Sequence, residues 1–136
     1  MTRGIKVAIG MTTAGLVKSQ TAFCLANLVR SSSYECEPIL KEGANISLNR
    51  EVIVETAQKL KCTHLLFGDS DMFFPKNALD VLLQREKSII GVNYHLRSFP
   101  QTTTVKMDAA KKHNLVKDYP KGVFPCEAVA TGFLLV

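Results

Sequence analysis

The 136-residue sequence lacks long apolar runs, paired cysteines and arginine-rich stretches. Its longest apolar runs, such as residues 133–136, are far shorter than the roughly 18 residues that span a bilayer. No apolar leader with a small-residue cleavage site is visible, so we expect a cytoplasmic protein with no transmembrane segment. The four cysteines contain no C-x-x-C pair that would bind zinc, and we expect four buried, reduced thiols rather than disulfides.

Positive charge is in modest excess, with 17 lysines and arginines against 12 acidic residues. Much of the excess lies between Lys106 and Lys121, where the alternatives are a patch for an anionic partner and a solvated loop, and we favour the loop. No arginine-rich run with interleaved aromatics is present, which argues against nucleic acid as a partner. With 46% hydrophobic and 21% charged residues, the chain has the composition of one packed domain, residues 1–136.

Strand-like and helix-like segments alternate along the first two thirds of the chain. Strands are predicted at residues 5–10, 36–40, 64–67 and 88–94, with a helix after each of the first three. The second helix is expected to start near Ser47 or Asn49, either of which would cap it. This alternation predicts a three-layer α/β/α, mostly parallel sheet.

The sequence after Arg97 contains short pieces and then an apolar strand at residues 129–136. Nothing follows that strand to cover it, so we expect the domain to be C-terminally incomplete. An uncovered apolar strand offers pairing sites to another chain, which predicts a homo-oligomer.

Two carboxylates, Asp69 and Asp71, stand where the third predicted strand ends. Ligands of open α/β sheets bind at the carboxyl ends of the strands, and carboxylates at positions i and i+2 can aim at one cation. Hard oxygen ligands favour Mg²⁺ or Mn²⁺. The alternative is a plain polar turn, but apolar residues flank the pair on both sides, where an unpaired charge would be costly.

Other uses of such a pair fit less well. An EF-hand counted from Asp69 needs glycine at its sixth position and glutamate at its twelfth, where the chain has Phe74 and Asp80. Haloacid dehalogenase phosphatases carry their aspartates after the first strand, followed by threonine or valine rather than Met72. The first loop lacks the P-loop lysine and hydroxyl pair, and no G-x-S-x-G serine elbow occurs.

Four segments together resemble the nucleotide-sugar glycosyltransferases of the GT-A fold. The resemblance extends over nearly the whole chain, from Ile5 to Val136. The four segments are the hydrophobic strand with its D-x-D motif at residues 63–72, Gly43-Ala44-Asn45 with Arg50, the strand at residues 89–97, and the segment at residues 127–135 with its T-G-F sequence. The resemblance implies a nucleotide-diphospho-sugar transferase sheet and a UDP- or GDP-sugar donor. The acceptor would be an unknown glycan, protein or lipid.

The resemblance also implies roles for particular residues. Asp69 and Asp71 would hold Mn²⁺ or Mg²⁺ and the donor, Thr12 and Thr13 would lie beside the nucleotide, and Arg50 would meet the donor's phosphate or sugar. For the last three, ordinary loop hydroxyls and a surface arginine remain the alternatives.

On the sugar and acceptor sides, the resemblance points to Arg97 for the donor sugar and to Glu127 as the catalytic base. An exposed acid before an apolar strand is the alternative for Glu127. A non-catalytic nucleotide-binding or assembly domain is the second hypothesis for the whole chain. A nucleotidyltransferase is the third, although the first loop has only Lys18 as a basic residue.

Overall fold

A computed structural model of the chain describes residues 4–94, 103–106 and 121–136. The elements in chain order are β1 (Lys6–Thr13), α1 (Ser19–Ser31), β2 (Glu35–Glu42), α2 (Ile46–Lys59), β3 (His64–Asp69), α3 (Ala78–Leu83), β4 (Ile90–Gly91) and β5 (Phe133–Leu135). The described residues divide into two compact units, one made of residues 4–90 and 132–136, the other of residues 91–94, 103–106 and 121–131. The predicted alternation of strands and helices is confirmed up to β4.

The strands form one five-stranded sheet in the order β2-β1-β3-β5-β4. Strand β1 pairs in parallel with both β2 and β3, over the whole length of each. Strand β5 pairs antiparallel to β3, with Leu66 opposite Leu135 and Gly68 opposite Phe133. The sheet is therefore mixed, with a parallel part built from the first 69 residues and an antiparallel strand from the end of the chain.

The predicted fold class, a three-layer and mostly parallel sheet of the GT-A, Rossmann-like type, is wrong. Over the residues that the structure describes, the chain forms a small mixed sheet of five strands with three helices. Strand β4 has two residues instead of the predicted seven, and β5 enters beside β3 in the opposite direction. The physical reason is that a short apolar run has no direction in its sequence, so residues 133–135 satisfy an antiparallel ladder as well as a parallel one.

Strand β1 supplies the core on both of its faces, and seven of its eight residues are buried. Val7 and Ile9 belong to a cluster with Leu28 of α1, Leu79 of α3 and residues of β3 and β5. Ala8, which points to the other face, packs with residues of α2 and β3. A strand covered on both faces needs a continuous apolar run, which is why residues 7–9 show no polar alternation.

The last strand is not the bare edge that the sequence predicted. Phe133, Leu134 and Leu135 are all buried, and β5 lies between β3 and β4. Val136 exchanges two backbone hydrogen bonds with Leu65, at 2.8 and 3.0 Å. The prediction of a homo-oligomer rested on an uncovered strand, and the structure shows no uncovered strand at residues 133–135.

Two local predictions also need correction. Helix α2 begins at Ile46 instead of Ser47 or Asn49, because the Asn45 side chain accepts a hydrogen bond from the Leu48 N–H at 3.0 Å and caps it. All four cysteines are free, as expected, but three are only partly buried and Cys126 is exposed. No helix in the described part of the chain is long and apolar enough to cross a membrane.

Two glycines on neighbouring strands give a test of the packing. A Cβ at Gly10 would collide with Cγ2 of Ile53, whereas a Cβ at Gly68 would meet only Cε of Met11, at 4.0 Å. We expect Gly10→Ala to lower the free energy of unfolding by about 1–3 kcal/mol, the usual cost of overpacking. Gly68→Ala should stay within about 1 kcal/mol of the wild type, because it fits and also restricts the unfolded chain. Urea unfolding followed by circular dichroism measures both, and equal losses would contradict the packing of α2 on β1.

Candidate functional site

The carboxyl ends of β1 and β3 meet at one edge of the sheet. Thr12 is the strand neighbour of Asp69 in the β1–β3 ladder, so the two residues lie side by side. Thr12 is 8% exposed, and Asp69 is partly buried. The pairing register therefore brings together two residues that the sequence analysis had assigned separately to the nucleotide and the metal.

Backbone hydrogen bonds fix the turn that follows β3. The Asp69 N–H donates to the Gly132 carbonyl at 2.9 Å, beside β5. The Lys18 N–H donates to the Ser70 carbonyl at 3.0 Å, just before α1. Because the turn is bound from both sides, Asp71 is carried at a defined place two residues beyond Asp69. These backbone contacts could not be predicted from the sequence, because side-chain motifs carry no information about backbone hydrogen bonds.

Helix α2 carries Arg50 to the same edge. Asn49, only 3% exposed, donates from its side-chain amide to the Gly43 carbonyl at 2.8 Å. The Gly43 N–H in turn donates to the Thr13 carbonyl at 3.0 Å, which ties the loop before α2 to the end of β1. The sequence predicted Asn49 only as a helix cap. Its burial and its contact with Gly43 follow from the tertiary structure, so no pattern in the sequence indicated this structural role.

Arg50 and Asp69 form an ion pair across 19 positions of sequence. Nη2 of Arg50 lies 3.5 Å from Oδ1 of Asp69, and their side chains are 30% and 39% exposed. The structure therefore brings Thr12, Arg50 and Asp69 together, with Asp71 on the adjoining turn. The resemblance had placed all four near the donor, but no pattern in the sequence indicated that Arg50 would contact a carboxylate.

Burial raises the pKa of the Asp69 carboxyl above its ordinary value. The neighbouring Arg50 guanidinium lowers that pKa, while the negative charge of Asp71 raises it further. The arginine therefore does not fully offset the cost of holding the ionised carboxylate at this place. An additional positive charge near Asp69 and Asp71 would stabilise their ionised forms.

The hydroxyl of Thr13 is already engaged in the loop after β1. It donates to the Leu16 carbonyl at 2.6 Å and accepts from the Gly15 N–H at 3.1 Å. Gly15 has a φ of +125°, a conformation that glycine adopts readily and that this turn requires. Thr13 thus shapes the loop beside the site, and Thr12 is the threonine that directly neighbours Asp69.

Two predicted site residues, Glu127 and Arg97, remain to be considered. Glu127 is an exposed residue of the second unit, where its N–H donates to the Lys106 carbonyl at 3.1 Å beside the Lys106–Ala128 bridge. Arg97 lies outside the described residues, as does most of the lysine-rich stretch at residues 106–121.

The carboxylates of Asp69 and Asp71 are suited to a metal ion that takes its other ligands from a bound phosphate and water. Within residues 4–94, 103–106 and 121–136, no group of three or more histidine, cysteine or acidic side chains is assembled. Zinc and calcium cages need more protein ligands than Asp69 and Asp71 supply. Mg²⁺ is commonly held by one or two carboxylates, with water and phosphate oxygens filling the other positions. The pair therefore suits Mg²⁺ or Mn²⁺ bound together with a phosphate.

Comparison with known proteins gives a likeness of fold. No protein-family model and no curated protein matches the chain. The chain is similar to the crystal structure of A197 from STIV, a viral protein, with a TM-score of 0.60 and 14% sequence identity. The likeness covers 97% of this chain and 64% of that chain, so this chain spans less than two thirds of its neighbour's length. At this level of identity the likeness concerns the fold alone. It is one of the findings against the predicted fold class.

Removing the Asp69 charge should stabilise the fold at neutral pH. Because the pKa is raised in the folded state, the folded chain keeps this proton at pH values where the unfolded chain has lost it. Stability is therefore lost as the pH rises through that window, and Asp69→Asn avoids the loss. We expect a higher Tm for Asp69→Asn at pH 7, with the difference from the wild type shrinking towards pH 3.

Asp80→Asn is the matched control. The Asp80 carboxylate accepts hydrogen bonds from the Ser32 hydroxyl at 2.9 Å and the Ser33 N–H at 3.1 Å. Its replacement should lower the Tm at pH 7, in the opposite direction to Asp69→Asn. A lower Tm for both variants would show that Asp69 is stabilising and would contradict the electrostatic account of the site.

Proposed function

We propose that this chain binds the diphosphate of a nucleotide-sugar donor, UDP- or GDP-linked, and serves a metal-dependent glycosyltransferase. The observation that carries the proposal is the meeting of Thr12, Arg50 and Asp69 at one strand end, with Asp71 on the turn that follows. Carboxylates for a metal, a guanidinium for phosphate and a neighbouring hydroxyl are the groups that a nucleotide diphosphate needs. The resemblance of residues 63–72 to the D-x-D strand of such enzymes agrees with this assignment.

Each residue has a definite task in this proposal. Asp69 and Asp71 hold Mn²⁺ or Mg²⁺, which when bound neutralises the charge that develops on the departing diphosphate. Arg50 binds a phosphate oxygen, since guanidinium groups match phosphate geometry. Thr12 lies beside the nucleotide. Stabilisation of developing charge by groups already in position is commonly the largest contribution to such catalysis.

The acceptor side of the proposal rests on the sequence resemblance. Glu127 takes the proton of the acceptor hydroxyl, and Arg97 contacts the donor sugar. The acceptor is a glycan, a protein or a lipid, and the protein acts in the cytoplasm.

A non-catalytic nucleotide-binding domain is the second candidate. The observation in its favour is that the described structure brings together Thr12, Arg50 and Asp69, which are residues that the resemblance assigns to the donor side. Such a domain would use the same donor site without a base.

The donor site is tested by ligand-dependent stability. UDP, GDP and their sugars are titrated in a thermal shift assay, each with Mn²⁺ and with a chelator. A ligand at about 100 times its Kd adds about 2.7 kcal/mol to stability, which gives a clear, saturable rise in Tm. We expect a Mn²⁺-dependent rise with one nucleotide, its loss in Asp71→Asn and its retention in Asp80→Asn. No rise with any nucleotide, or an unchanged rise in Asp71→Asn, would refute the donor site.

Transfer itself is tested through Glu127. Because Glu127 belongs to the acceptor side, Glu127→Gln should lower the rate of sugar transfer, or of sugar release to water, by about 100-fold or more while nucleotide affinity stays unchanged. Chromatographic assay of the freed nucleotide measures the rate, and calorimetry measures the affinity. Nucleotide binding with no turnover in the wild type would favour the non-catalytic candidate instead.

A further inference from the structure

The contact between Arg50 and Asp69 is long for an ion pair. Nη2 and Oδ1 are 3.5 Å apart, whereas charge-assisted hydrogen bonds of this type are usually about 2.7–2.9 Å. One nitrogen meets one oxygen, so the two-pronged geometry that arginine can make with a carboxylate is not used. The guanidinium therefore lies against Asp69 without being locked to it.

Solvent access makes the pair exchangeable. Both side chains are about one third exposed, and pairs of this kind add little to stability. The helix that carries Arg50 is held independently, because Asn45 caps it and buried Asn49 binds the Gly43 carbonyl. The arginine side chain can thus leave Asp69 without any displacement of α2.

We propose that Arg50 and the divalent metal compete for the Asp69 carboxylate, so that metal binding releases the guanidinium for the phosphate of the incoming ligand. The inference rests on the proposed function, because it takes Asp69 and Asp71 as the metal's ligands. Both cations are attracted to the same carboxylate, and a guanidinium 3.5 Å from Oδ1 stands where a metal with its waters would approach that group. Once displaced, Arg50 finds a better partner in a phosphate, which it can bind through two nitrogens.

The exchange makes the site selective for the metal together with a diphosphate over the metal alone. Without an anion, a metal ion that binds leaves the Arg50 guanidinium unpaired and close to the double positive charge of that metal. With an anion present, the released guanidinium has a partner, and the coupling between metal and anion is reciprocal. Arg50 is on this view a positioning and selectivity residue whose removal has opposite effects on the two ligands.

The decisive measurement is Mn²⁺ binding without nucleotide, followed by electron paramagnetic resonance of the free ion. Arg50→Gln should bind Mn²⁺ about twofold to fivefold more tightly than the wild type, the range expected from the worth of a partly exposed ion pair. With inorganic pyrophosphate added, the order should reverse, because the variant has lost its phosphate contact. A purely structural role for Arg50 would weaken both measurements.

Lys18→Gln is the control for loss of a positive charge at the same edge. Lys18 adjoins the turn through its backbone bond to Ser70, and its side chain is exposed. Its replacement should change Mn²⁺ affinity by less than half as much as Arg50→Gln. An equal gain in both variants would mean that general electrostatics, and not competition for Asp69, governs the affinity, and the inference would be overturned.

A second readout follows the arginine directly. In the nitrogen-15 spectrum, the Arg50 side-chain signal, assigned by its disappearance in Arg50→Gln, should shift on addition of Mg²⁺ and shift again with pyrophosphate. An Arg50 signal that Mg²⁺ leaves unmoved overturns the inference.

The outcomes separate this inference from the function on which it rests. Mn²⁺ binding that depends on Asp71 but is equal in the wild type and Arg50→Gln overturns the competition and leaves the donor site standing. If the wild type shows no Mn²⁺ binding that is lost in Asp71→Asn, both the competition and the donor site are overturned.

Discussion

The parallel pairing of β1 with β3 is the constraint on which the site depends. It sets Thr12 opposite Asp69, and the same strand pairs with β2, which leads through Gly43 into α2. Burial of β1 on both faces holds this register, because a slip by one residue would exchange its two sets of core side chains. A hydrophobic constraint in the middle of the sheet therefore fixes the position of polar groups at its end.

Asp69 shows how such a scaffold can hold an unfavourable group. The carboxylate is partly buried, close to a second carboxylate and only loosely paired with an arginine, and its pKa is raised accordingly. Backbone hydrogen bonds on both sides of the turn keep it in place despite this cost. The Asp80 carboxylate has different surroundings, since it accepts hydrogen bonds from a hydroxyl and an N–H that directly follow α1. Asp69 and Asp80 cannot be told apart as residue types. Their surroundings make the ionised Asp69 electrostatically unfavourable and the ionised Asp80 stabilising.

The sequence allowed prediction of the first three strands, their helices and the placement of Asp69 at a strand end, because these depend on local periodicity. It did not allow prediction of the direction of β5, since Phe133-Leu134-Leu135 is apolar throughout and pairs with a partner far away in sequence. The length of β4 was overestimated for a related reason, as β-branched residues at 88–94 favour a strand only where a neighbour completes the ladder. Contacts such as Arg50 with Asp69 follow from the tertiary structure and could not be inferred from motif spacing.

The error in the fold class and the placement of the site concern different parts of the chain. Thr12, Arg50, Asp69 and Asp71 lie on β1, α2, β3 and the turn after β3, all within the first 71 residues. The features that overturned the predicted sheet, a two-residue β4 and an antiparallel β5, enter later in sequence. Strand β5 nevertheless meets the site at one point, because the carbonyl of Gly132 accepts the hydrogen bond of the Asp69 N–H. The backbone of Asp69 is thus held from the side on which a parallel sheet would have placed another strand, so the antiparallel arrangement supports the position of the carboxylate.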